Sequence, residues 1–149
     1  MACYSNGTTL FWHTTSKTIL HRYEDSENPL NTIDINYDAS KFATGGTDTE
    51  VKLYDVGKKS PPTILEGTPT APKHSNRIYA LKFLKNDPNI LLSAGWDNVI
   101  IIYKLIKLIL IHDLRMGHTA GFIFGPKVYS ESLDIKDNII LTGSFREKR

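Results

Sequence analysis

The chain has 149 residues, enough for one domain of ordinary size, and 18 Lys and Arg against 16 Asp and Glu. A net charge of +2 gives no strong field toward nucleic acid or anionic lipid, so neither a specific nucleic-acid partner nor a membrane partner is expected. The single cysteine, Cys3, excludes an intramolecular disulfide and a multi-cysteine metal site. It fits a reducing, cytoplasmic setting, with the nucleus also open.

The N-terminal stretch MACYSNGTTLFWH has no basic segment followed by a continuous apolar one, so it does not read as a secretory signal. It reads as the middle of a repeating unit: Asn6-Gly7 makes a strand turn, a strand follows over 8–13, and an outer strand spans 17–23. The sequon Asn6-Gly7-Thr8 is then a chance match. After a connection at 24–29, Leu30, Ile33 and Ile35 mark another strand.

From Lys41 the chain reads KFATGGTDTEVKLYD, a strand, a polar turn and a second strand. In EVKLYD the apolar Val51 and Leu53 alternate with Glu50 and Lys52, the pattern of a half-buried strand. An outer strand is expected near 62–65, and the Gly, Pro and Thr of 66–76 read as a loop. Asn89–Tyr103, NILLSAGWDNVIIIY, then repeats the hairpin, since Ser93 − Thr44 and Asp97 − Asp48 both give 49. A third copy opens with IILTGSFR, where Thr142 − Ser93 is again 49. Ile78, Leu81 and Phe83 follow Leu30, Ile33 and Ile35 at an offset of 48, so each hairpin has a strand before it. Strands are also expected over 118–125, 133–135 and 138–144.

A period in the forties with several short strands per unit is that of propeller blades, whose small sheets cover their apolar faces by stacking. The segments KHSNRIYALKF, LLSAGWD and KLYDV resemble the His-containing loop, the second strand with its Asp turn, and the third strand of the WD-repeat family. The resemblance implies an all-β fold, antiparallel four-stranded blades of an incomplete WD-repeat β-propeller. Residues 2–25 would end one blade, 26–66 form a first, 74–125 a second and 126–149 the start of a third. Closed propellers use about 4–8 blades, so a fragment of a longer propeller is expected, with unpaired blade edges open to self-association.

The resemblance also assigns roles. His74, Ser93 and Asp97 occupy positions that in WD repeats join a third-strand Trp in a buried hydrogen-bonded network, with Tyr103 at the Trp place. The first blade offers Thr44, Asp48 and Tyr54, with Ser26 rather than His in the loop, so a thinner network is expected; the third has Arg146 where Asp is expected. Ser93, His74 and Asp97 could also suggest a catalytic triad, but the set comes from a repeat and has no nucleophile-elbow context. The residue before the turn Asp faces the upper rim in this family, which makes Trp96, Thr47 and Phe145 candidates for partner binding, with Arg77 beside them. Trp96 could equally pack against an adjacent blade.

Residues 103–111, YKLIKLILI, interrupt the pattern: without them the strand continues into His112-Asp113 at the Trp-Asp place. Nine residues equal a 27-nucleotide in-frame segment, so this stretch reads either as an insertion such as a translated short intron or as a longer third strand or an extra edge strand. The apolar pieces of 99–114 fall short of the ~20 residues needed to span a bilayer. WD-repeat proteins generally act as non-catalytic scaffolds for other proteins or peptides, and that function is expected here without cofactor, metal or catalytic residues. The alternative is a substrate adaptor of a ubiquitin ligase or similar complex, since His112-Asp113-Leu114-Arg115 loosely resembles the Trp-Asp-x-Arg signature of such adaptors. The histidines at 13, 21, 74, 112 and 118 have no metal-ligand spacing, which disfavours an enzyme.

Overall fold

The computed structural model describes residues 1–25, 28–65, 72–105, 117–136 and 139–145, and its regular structure is entirely antiparallel strand. Strands β1 (Ala2–Cys3), β2 (Thr8–Trp12) and β3 (Ile19–Glu24) form one sheet in chain order. A four-stranded sheet follows from β4 (Leu30–Ile35), β5 (Lys41–Gly46), β6 (Val51–Asp55) and β7 (Thr63–Ile64). The next comprises β8 (Ile78–Leu84), β9 (Asp87–Gly95), β10 (Val99–Leu105) and β11 (Gly117–Phe124), and β12 (Leu133–Lys136) pairs with β13 (Ile139–Thr142). This is the architecture of successive propeller blades.

The core lies between blades rather than within one. Phe11, Phe42 and Tyr54 bury one face of the first complete blade, with Tyr23, Ile33 and Ile35 against them. Its opposite face, Ala43, Val51 and Leu53, packs on Leu81, Leu91, Ile101 and Tyr103 of the second. The second blade's other face, Ala80, Leu92 and Ile100, meets Val128 and Leu133. Because β10 is covered on both sides, its sequence runs VIIIY without alternation, as expected where neither face meets water. The strand β6 is covered on both sides too. The sequence pattern places Lys52 on a solvent face, but its side chain is only 12 % exposed, since that face turns to the connection after β3 and an ion pair replaces apolar packing there.

The strands at which blades adjoin are tied by side chains onto backbone. Thr32 Oγ1 accepts from the Leu81 amide at 3.2 Å, Asp34 Oδ2 from the Phe83 amide at 2.7 Å, and Asn31 donates to the Ile78 carbonyl at 3.1 Å. The first two ties join residues 49 apart, the repeat period itself. One blade thereby fixes the register of the next.

The outer pairing of β10 is interrupted between Ile102 and Tyr103, where Gly121 and Thr119 are successive partners and Ala120 is extra. The pairing of β2 with β3 shifts between Phe11 and Trp12, the same place in the repeat, since Trp12 and Tyr103 each stand six residues after their turn residue. The irregularity is therefore a bulge belonging to the blade. Tyr103 to Leu105 continue β10, and residues 106–111 lie outside the described residues.

Candidate functional site

Three turns share one local design. Asn6, Asp48 and Asp97 each accept from the amide two residues on, Thr8, Glu50 and Val99, at 3.1, 3.1 and 3.2 Å. An Asp or Asn side chain closes such a turn by standing in for a backbone carbonyl. The next residue in each turn, Gly7, Thr49 or Asn98, has φ of 81°, 69° or 60°. Gly and Asn adopt that left-handed conformation readily, whereas a β-branched Thr is strained in it.

In the second blade the remaining carboxylate oxygen of Asp97 builds the network. Oδ2 lies 2.7 Å from His74 Nδ1 and accepts from the Ser75 amide at 3.0 Å; His74 Nε2 lies 2.6 Å from Ser93 Oγ. The partners assign the tautomer: Nδ1–H donates to the carboxylate, Ser93 donates to Nε2, and Ser93 Oγ can then accept from the Tyr103 phenol beside it. Asp97 Oδ2, both ring nitrogens of His74 and Ser93 Oγ are thus all engaged. Burial tends to raise the Asp97 pKa, but the hydrogen bond and charge of His74 and the Ser75 and Val99 amides outweigh it, leaving the carboxyl below its ordinary range. Burial pushes the Tyr103 phenol up to about 12, with the Asp97 charge acting the same way and the Ser93 hydrogen bond against it. Ser93 is 0 % exposed, so its hydroxyl is closed to any substrate.

The first blade uses different chemistry at the same place. Asp25, not Ser26, stands where the second blade has His74, because 74 − 49 = 25. Ser26 itself lies outside the described residues. Lys52 Nζ bridges Asp25 Oδ2 at 2.8 Å and Asp48 Oδ2 at 2.6 Å, and Asn28 donates to Asp25 at 2.9 Å while accepting from the Thr47 and Asp48 amides at 3.1 and 3.3 Å. An acid–lysine–acid bridge thus ties loop to hairpin. Burial lowers the Lys52 pKa, but hydrogen bonds and charge from the two aspartates outweigh it and raise it well above the ordinary lysine value. Thr44 and Tyr54 stand apart from this bridge. The buried Thr44 hydroxyl has no hydrogen-bond partner; the Tyr54 phenol is near enough to be influenced by it, yet the contact falls short of hydrogen-bond geometry. Arg146, in the third copy, lies outside the described residues.

The candidate rim residues Thr47, Trp96 and Phe145 also occupy matching places in the repeat. The amides of Thr47, Trp96 and Phe145 donate to the carbonyls of Pro29, Arg77 and Lys127 at 3.2, 3.1 and 2.8 Å. Lys127 is therefore the third-blade counterpart of Arg77, and Tyr129 of Tyr79. Trp96 sits edge-on to Tyr129 with centroids 4.9 Å apart, tilted against Tyr79 at 6.1 Å, and Lys127 Nζ stands 4.8 Å over its ring. Phe145 continues the row at 6.5 Å from Tyr129. Trp96 is half-buried, while Tyr129 and Phe145 remain 55 % and 51 % exposed. The Arg77 side chain is exposed, and Thr47 stands in the first blade outside the aromatic row. Tyr79, Lys127 and Tyr129 were not marked by the hairpin offset, although extending it to 50 past residue 125 pairs 77 with 127 and 79 with 129.

Among the described residues no group of three or more His, Cys, Asp or Glu side chains could hold a metal ion. No helix there is long and apolar enough to cross a membrane. The segment His112–Arg115 lies outside the described residues.

Comparison with known proteins agrees with this geometry. The chain is 35 % identical over 91 residues to protein SOF1 of Saccharomyces cerevisiae, covering 61 % of this chain and 17 % of that protein. It is 31 % identical over 91 residues to histone acetyltransferase type B subunit 2 of Candida glabrata, covering 60 % of this chain and 20 % of that protein. The chain thus spans about a fifth of the length of these relatives. The WD40 profile (WD domain, G-beta repeat) matches residues 17–55 and 67–104, more than half of the chain, and with the stacked four-stranded blades this makes the chain a member of the WD40 repeat family.

Proposed function

We propose that this chain is a non-catalytic protein-interaction scaffold, part of a longer propeller, whose upper rim docks another protein or a peptide through Trp96, Phe145 and the exposed Arg77. The observation that carries it is the row Tyr79–Trp96–Tyr129–Phe145 with Lys127 beside it, an exposed aromatic and cationic surface on rigid strand ends. Aromatic and arginine anchors of this kind dominate interface energetics. Thr47 marks the end of the surface, where the first blade lacks the aromatic. WD40 proteins generally serve as such scaffolds, and one relative is by its name a subunit of a larger assembly. A non-catalytic role is supported by the burial of Ser93 and by the complete engagement of His74 and Asp97 in holding the hairpin. An intracellular setting, cytoplasmic or nuclear, is part of the same proposal, as is the structural role of the His74, Ser93, Asp97 and Tyr103 network.

Affinity capture with the wild-type chain and with Trp96→Ala tests the rim. Partner recovery is expected to fall at least tenfold while the circular dichroism stays native and the melt stays cooperative, since truncating an aromatic anchor costs about 2 kcal/mol or more of binding. Unchanged recovery removes Trp96 as the anchor.

A further inference from the structure

Outer strands of a blade are edges, and proteins ordinarily blunt them with charge, proline or brevity. Two of the described outer strands here are blunted: β3 carries Arg22 and Glu24, and β7 has two residues after Pro61-Pro62. The third, β11, reads GHTAGFIF without Lys, Arg, Asp or Glu. Among the described residues it pairs with β10 alone, and Phe122, Ile123 and Phe124 are 42 %, 42 % and 66 % exposed. Phe122 and Phe124 stand opposite Ile101 and Val99, so they share the face turned toward the first blade. Their rings meet edge to face at 5.1 Å. The extra residue at Ala120 and the left-handed Gly125 (φ 134°) bound a flat edge of three exposed apolar residues.

We propose that this edge joins a second copy of the same chain, β11 against β11, antiparallel about a two-fold axis through Ile123. The sequence is self-complementary in that register. Ile123 faces its own copy on one side of the sheet, and on the other Phe122 and Phe124 each face the other's counterpart, two aromatic cross-strand pairs of the favourable kind. The lack of Lys, Arg, Asp and Glu makes a second copy the fitting occupant: no such charge on the strand selects a different protein or repels its own image. The two four-stranded blades would run on as one continuous sheet, with an isologous interface that closes at two copies.

Sedimentation velocity on the 149-residue chain is expected to show a concentration-dependent dimer with a dissociation constant on the order of 100 µM, as befits an interface well below the ~1,200 Å² of stable complexes. Ile123→Lys places two like charges face to face and should leave a monomer; so should Ile123→Glu. Mixing the two variants should restore the dimer, because only a two-fold through residue 123 sets Lys opposite Glu. Ile139→Lys, on the exposed strand β13, should dimerise like wild type. A monomeric wild type, a dimer that survives Ile123→Lys, or a mixture that stays monomeric overturns the proposal. If the lysine variant loses its native circular dichroism, Ile123→Thr carries the test through a weakened dimer, and undiminished association there overturns it equally.

Discussion

At the scale of single residues, the two complete blades solve one problem with different chemistry. Each must tie a loop to the tight turn of its hairpin, and each uses the turn aspartate, Asp48 or Asp97, as the fixed point. The second blade couples Asp97 to His74; the first places Lys52 between two carboxylates. Because the Asp97 pKa is held below its unfolded value of about 3.9, the contribution of this carboxylate is present above that pH and is lost as pH falls through the folded value. Asp97→Asn should therefore cost about 2 kcal/mol at pH 7, the range of a hydrogen bond to a charged group. That deficit should shrink below about pH 4 as the wild-type carboxylate takes up its proton. The raised pKa of Lys52 has the opposite sense: its contribution is complete below the ordinary lysine value and is lost only as pH rises through the higher folded one. Lys52→Met should cost about 3 kcal/mol across neutral pH by leaving Asp25 and Asp48 without their cation. Urea denaturation of both variants from pH 3 to 9 checks the pair. The turn aspartates were legible from their spacing, but Asp25 and Lys52 were not, because a search for matching residue types passes over a position where an acid replaces a histidine.

At the scale of elements, β10 decides how the stretch 103–111 is read. Tyr103 lies within the strand, opposite Leu91 and Thr119, and Leu105 is buried in the core between blades. The bulge before Tyr103 recurs before Trp12 and therefore is no mark of an insertion. Removing residues 103–111 would bring His112, Asp113 and Leu114 onto the places of Tyr103, Lys104 and Leu105, which preserves a polar aromatic, an outward charge and a buried Leu. The deletion variant is thus expected to unfold cooperatively with a melting temperature within about 4–8 °C of wild type, the shift that ~1 kcal/mol produces in a small domain. A non-cooperative melt would show that the nine residues are integral to the blade, and a transcript that retains all nine codons would end the intron reading.

At the scale of the whole molecule, stability is carried between neighbours. Among the described residues each blade buries its faces on the adjoining blades, so the chain behaves as a short linear array in which interface terms decide cooperativity. Asp34 is one such term, accepting the Phe83 amide across the junction at 2.7 Å. Asp34→Ala should cost about 1–2 kcal/mol and lower the urea m-value by letting the first blade unfold ahead of the second. Asp34→Asn, which keeps an acceptor oxygen, should restore the m-value. Equal m-values for wild type and Asp34→Ala would show that the apolar faces alone couple the blades.

The sequence by itself determined the local design: a period of 49 between hairpins, strand order within a blade, turns closed by Asp or Asn, and the matching places of Thr47, Trp96 and Phe145 in the repeat. These follow from short-range stereochemistry, which a chain carries in its residue order. Only the tertiary structure decided what covers each face. Alternation shows that Lys52 and Tyr54 share one side of β6 but not that this side meets Asp25 from the preceding connection. Likewise, Trp96 as a single letter fits either an anchor or a packing residue. The stacking of the third blade's Tyr129 and Lys127 against it shows the packing role, because two segments more than thirty residues apart in sequence converge only when the blades stack.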